Sequence, residues 1–229
     1  MVIWIFAGGG ESEVKGLQPF FQNNYPTHTF ERKSPVRLKP GPKPPTQLGY
    51  GQTGSSLVKQ MGMIIHNSIL NGEQCDFILV IDDLDCREPS IQKQLFEYAI
   101  DENSVMKTVP RHIGFASPEI EAWIIADWDQ TIALDPEFRR YHQAMRHWMS
   151  SERRVSFAHP EEFSEYSLEK RACAEKLSEI LIDASVQFSP IRYSKAEHTP
   201  RLLQQLSPSN VSLKCPHFRQ MHVRLAELE

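Results

Sequence analysis

At 229 residues the chain is long enough to bury a large core without disulfide staples. Its formal net charge of -4 is not the basic balance of a protein built chiefly to coat nucleic acid. Cys75, Cys86, Cys173 and Cys215 form no CxxC pair and no zinc-like spacing, so reduced thiols in a cytoplasmic protein are expected. The opening MVIWIFAGGG has no basic leader, and no apolar window approaches the roughly 18 residues of a membrane span, so a soluble chain is expected.

The first element is Val2 to Phe6, a short apolar run before three glycines, which reads as a buried strand entering a tight turn. A helix over 13–22 follows, weakened by Pro19, then a weak strand from His28 to Glu31. The stretch KSPVRLKPGPKPPTQLGYGQTG, rich in Pro and Gly, must be an extended loop. Thr53 or Ser55 would cap a helix running to Leu70, with Leu57, Met61, Ile64, Ile65 and Ile69 on its apolar face. Phe77 to Ile81 is β-rich and unalternating, as strands buried on both faces are. A helix from Pro89 to Asp101, a strand at His112–Ala116 and a helix begun by Ser117-Pro118 and ending near Asp127 continue the rhythm. Strands alternating with helices argue for an α/β fold, a parallel sheet covered by helices. Residues 129–166 turn irregular, aromatic and basic, and read as an insertion or cap within a single domain over 1–229. Helices at 167–185, 198–206 and 216–228 close the chain.

Chemistry is expected where strands end. Asp82-Asp83-Leu84-Asp85 directly follows the most apolar strand, and ligands of open parallel sheets bind beyond the carboxyl ends of strands. Three carboxylates this close repel one another, and a hard cation such as Mg2+ or Mn2+ would relieve them. A solvated turn with one Asp acting as a helix cap is the plainer reading. The turn Gly8-Gly9-Gly10-Glu11-Ser12-Glu13 lets a ligand approach the backbone, with Gly9 and Gly10 placed to meet phosphate. It resembles a dinucleotide fingerprint, yet Glu11 and Glu13 would set two negative charges against a pyrophosphate. Glu119 and Glu121 open a helix, where two residues subtend about 200°, so only one should face a site. Arg37 and Lys39 in the Pro-rich loop, and Lys195 before a helix, are candidate phosphate contacts; an ordinary solvated loop is an equal reading for the first two, and a surface lysine the commoner one for Lys195.

GGGES, IDDLD and PEIEAWIIAD together resemble the Toprim-like bacterial proteins of the domain-of-unknown-function 4276 type, distantly similar to OLD-type nucleases. The resemblance implies a Toprim-like (Rossmann-like) sheet with an inserted cap and C-terminal helices. It implies a metal-dependent nuclease, with roles suspected in phage or mobile-element defence. Asp83 and Asp85 would hold Mg2+ with Glu11, and Glu121 would be a further ligand or base. The family's acid before the glycine turn is Ala7 here, so its role would pass to Glu11 or Glu13. Phosphodiester cleavage of DNA or RNA is therefore the first expectation. A catalytically silent subunit of an ATPase partner is the second, and a small-molecule phosphotransferase or phosphatase the third. Nucleic acid is the expected partner, an ATPase or a second copy in a homodimer are further candidates, and no membrane is involved.

Overall fold

The structure, a computed structural model, describes residues 1–34 and 53–228, and for residues 11–14 the backbone alone. Strands β1 (Val2–Ala7), β2 (Thr29–Ser34), β3 (Phe77–Asp83) and β4 (Arg111–Ala116) form a wholly parallel sheet in the order β2-β1-β3-β4. Each pair is joined through a helix: α1 (Glu11–Asn24), α2 (Ser55–Leu70) and α3 (Pro89–Asp101). This is an α/β, Rossmann-like sheet flanked by helices, as expected.

The unalternating strands follow from the two layers around them. Ile3, Ile5 and Ala7 of β1 and Phe77, Leu79 and Ile81 of β3 face a large core with α1 and the C-terminal helices. Trp4, Phe6, Ile78 and Val80 face a second core with Leu57, Met61 and Ile65 of α2 and Phe96 and Ile100 of α3. Period-two alternation thus sends apolar side chains to two dry faces. Helix α1 runs through Pro19 because Leu17, Phe20 and Phe21 are buried beneath it. At about 1.5–3 kcal/mol each, that burial exceeds the roughly 3 kcal/mol an internal proline costs.

Several expected boundaries move. Gly54, not Thr53 or Ser55, is the N-cap of α2, and no side chain caps it. After β4, the Ser117-Pro118 bond is cis, and α4 (Glu121–Ala126) starts only after Ile120, so Ser117 caps nothing there. Residues 129–166 include α5 (His142–Ser151) and feed Ile132, Phe138, Met145, Met149, Val155, Phe157 and Phe163 into the large core. The helix expected over 167–185 begins late. Strands β5 (Tyr166–Ser167) and β6 (Ala172–Cys173) first make a small antiparallel hairpin, and α6 spans Leu177–Phe188. A Cys86–Cys173 disulfide fastens this hairpin to the loop after β3, which corrects the expectation of four reduced thiols; Cys75 and Cys215 are free. Helices α7 (His198–Leu203), α8 (Pro208–Lys214) and α9 (Pro216–Ala226) complete the layer, with α8 absent from the sequence reading. Among the described residues no helix is long and apolar enough to cross a membrane.

Candidate active site

Because β2 and β3 flank β1 on opposite sides, the chain reverses its winding at β1, and a crevice opens between the carboxyl ends of β1 and β3. Gly8 and Asp82 meet there. The Gly8 N–H donates to Ile81 O at 2.6 Å, and a Cβ at Gly8 would stand 2.3 Å from Asp82 Oδ1. Asp82 is 1% exposed, and among the described residues its Oδ1 has no hydrogen-bond partner. Its Oδ2 accepts the Gly54 N–H at 3.0 Å from the start of α2 and lies 3.5 Å from Arg87. Burial pushes this carboxyl up to about 7, against the pull of Arg87 and the Gly54 N–H. A buried carboxylate oxygen without a donor costs about 1–3 kcal/mol.

Strand β3 continues two residues past its apolar run, so Asp82 and Asp83 alternate to opposite faces. Asp82 turns toward α2. Asp83 turns toward α4, where its Oδ1 accepts the Ile120 N–H at 3.0 Å. The loop then docks on the turn after β4: the Leu84 N–H reaches Ala116 O at 2.9 Å and the Asp85 N–H reaches Pro118 O at 2.8 Å. Burial raises the Asp85 carboxyl, opposed by Arg87 and Lys176 and reinforced by Glu119. Arg87 closes the loop on itself. Its Nε donates to Leu84 O at 2.9 Å, and its Nη2 donates to Asp83 O at 2.6 Å while lying 3.4 Å from Asp85 Oδ2. The guanidinium lies so close to Gly54 that a Cβ there would stand 2.0 Å from Nη1, and Gly54 has φ 52, a conformation that favours glycine.

Glu119 and Glu121 converge after all. Glu119 precedes the helix, so the 200° separation of two helical residues does not apply. Lys195 bridges them, 3.2 Å from each carboxylate. Glu119 also accepts the Ser178 N–H at 2.6 Å and its hydroxyl at 3.0 Å. Glu121 is fully buried and accepts the Thr199 hydroxyl at 3.0 Å; its contact with Lys195 is an ion pair whose angle falls short of a hydrogen bond. Glu121, expected as ligand or base, and Lys195, expected as a phosphate contact, are thus brought together with Glu119 in one ion-paired group. Asp85 feels both Glu119 and Lys195, so this ion-paired group borders the strand-end site.

Gly9 turns the chain at φ 80 and Gly10 precedes α1, as a phosphate-approaching turn requires. Glu11 is the first residue of α1, and its side chain lies outside the described residues, as do Arg37 and Lys39. Among the described residues no group of three or more His, Cys, Asp or Glu side chains is arranged to hold a metal ion. The Arg87 guanidinium lies between two carboxylates, Asp82, whose Oδ1 has no hydrogen-bond partner among the described residues, and Asp85. The sequence reading left Asp82 without a role and overlooked Arg87 and Gly54. The detectable signal was a lone arginine two residues beyond three acids.

No curated protein and no solved structure matches the chain. The family described as Domain of unknown function (DUF4276) matches residues 11–226, nearly the whole length. The chain belongs to that DUF4276 family.

Proposed function

We propose that this chain is a divalent-metal-dependent phosphodiesterase acting on DNA or RNA at the β1–β3 crevice. The observation that carries the reading is Asp82 Oδ1, buried, unpartnered and aimed at the glycine turn. Asp82 and Asp85 would hold Mg2+ or Mn2+, with Asp83 beside them and Glu11 after the glycine turn as further candidate carboxylates. Such an ion, when bound, activates water and stabilises a leaving oxygen. The chain's own contributions are positional. Gly9 and Gly10 are the proposed backbone approach for a phosphate, the Gly54 N–H fixes the Asp82 carboxylate, and the Ile120 N–H fixes Asp83. Glu11 is the proposed general acid/base, worth roughly 100- to 10,000-fold in rate. Ala7 in the position the resemblance fills with an acid favours a second reading, a silent subunit that docks on an ATPase.

The test begins with melting curves in millimolar Mn2+. Wild type should gain about 3 kcal/mol at a hundredfold excess over Kd, several degrees for a chain this size, and Asp82→Asn should gain nothing. Equal gains in both proteins would move the metal elsewhere. Cleavage is then assayed on single- and double-stranded DNA and RNA and on small phosphate esters. Glu11→Gln should lose most cleavage and keep the Mn2+ response. Metal binding without cleavage of any substrate would favour the silent subunit, and cleavage of small esters alone a phosphatase.

A further inference from the structure

We infer that Arg87 is the resident counter-cation of the acidic crevice, and that a divalent ion binds by displacing its guanidinium from Asp82 and Asp85. The inference rests on the metal site proposed above and adds a residue that controls it.

The guanidinium occupies the position a cation would be drawn to. Its Nη2 lies 3.5 Å from Asp82 Oδ2 and 3.4 Å from Asp85 Oδ2, and donates to the Asp83 carbonyl. The carboxylate contacts are long, so the cluster is neutralised without being saturated. Asp82 Oδ1, on a side chain only 1% exposed, still lacks a donor among the described residues and faces Gly8 of the glycine turn. An acid cluster already served by its best cation would not leave that oxygen bare. A divalent ion reaching Asp82 would stand within a few ångströms of the guanidinium, and like charges at that range change an affinity by at least about tenfold. Arg87 has room to leave. It lines two cavities, of about 370 Å³ toward Ser117, Glu161 and His217 and about 490 Å³ toward Ile91, Gln92 and Tyr166. Swinging outward breaks its bonds to Leu84 O and Asp83 O, carbonyls that water can then satisfy because the side chain is already 20% exposed.

The experiment counts free Mn2+ by electron paramagnetic resonance during titration of wild type, Arg87→Met and Arg87→Lys. Arg87→Met should bind Mn2+ about tenfold tighter or more, and Arg87→Lys should stay within about threefold of wild type. A second measurement needs no variant: phenylglyoxal should modify Arg87 in the wild-type protein several-fold faster once Mn2+ is bound, read by mass spectrometry. Unchanged or weaker binding by Arg87→Met, with wild type still binding Mn2+ and losing it in Asp82→Asn, overturns the role of Arg87 and leaves the metal site standing. So does slower modification of Arg87 in Mn2+. Absence of Mn2+ binding in wild type and in both variants overturns the site and the inference together.

Discussion

A methyl group added at Gly8 would stand 2.3 Å from Asp82 Oδ1 and 3.3 Å from the Asp82 Cα, so the residue after β1 and the next-to-last residue of β3 share one volume. The side chain can shift, but its Oδ2 is held by the Gly54 N–H. We expect Gly8→Ala to destabilise by about 1–3 kcal/mol in urea melts. In an Asp82→Ala background only the 3.3 Å contact remains, and the cost should fall by about 1 kcal/mol or more. Additive costs would mean that the two residues do not compete for space. Which acid takes this position was not legible from the sequence. An apolar run ending at Ile81 gives no direction to the acids beyond it, and the Asp-x-Asp pattern selects Asp83 and Asp85. The pleat continues to Asp83 instead, and parity alone sends Asp82 into the crevice.

At the scale of elements, the turn from β4 into α4 shows what local patterns miss. Ser117-Pro118 has the form of a cap and first turn, yet the helix waits until Glu121, with a buried bend carrying Glu119 before it. Tertiary partners set this boundary: Ile120 donates to Asp83, and Lys195 pins both glutamates. Removing the shared cation should therefore cost more than an ordinary surface ion pair. Lys195→Met removes the cation beside fully buried Glu121, and about 2–4 kcal/mol of destabilisation is expected. Adding Glu121→Gln should restore part of the loss, since the uncompensated charge is then gone. A double variant less stable than Lys195→Met alone would show that the charge of Glu121 is not what Lys195 serves. Strands β1, β3 and β4 and helices α2 and α3 were legible because their apolar patterns are dictated by burial on two faces. The β5–β6 hairpin was not, because its anchor is Cys86, 87 residues away in sequence.

Across the whole molecule, carboxylates from the Rossmann-like half and the 129–166 segment hold the starts of the C-terminal helices. Glu119 accepts the Ser178 N–H at the start of α6, Asp127 accepts the Ser207 N–H before α8, and Glu161 accepts the His217 and Phe218 N–H groups of α9. None of the three helices has a side-chain cap of its own, so sequence patterns that look for a cap beside the helix find none. Glu161 makes the arrangement testable by pH. Burial pushes its carboxyl up to about 7, outweighing the two N–H donors and Arg219. Between the ordinary 4.5 and about 7 the folded protein then holds a proton that the unfolded chain has released, so this group's contribution to stability falls as pH rises through that window and is level above it. Glu161→Gln removes the titration. The stability of wild type minus that of Glu161→Gln should therefore decline by roughly 3 kcal/mol from pH 4.5 to pH 8. His112, which burial lowers to about 4, loses native stability as pH falls from 6.5, but does so in both proteins and cancels in the difference. If the helix N-terminus governs Glu161 instead, the anion is the favoured form and the difference should rise with pH between about 3 and 5. Urea melts of the two proteins at pH 4.5, 6 and 8 decide between burial and the helix as the dominant influence on this stitch.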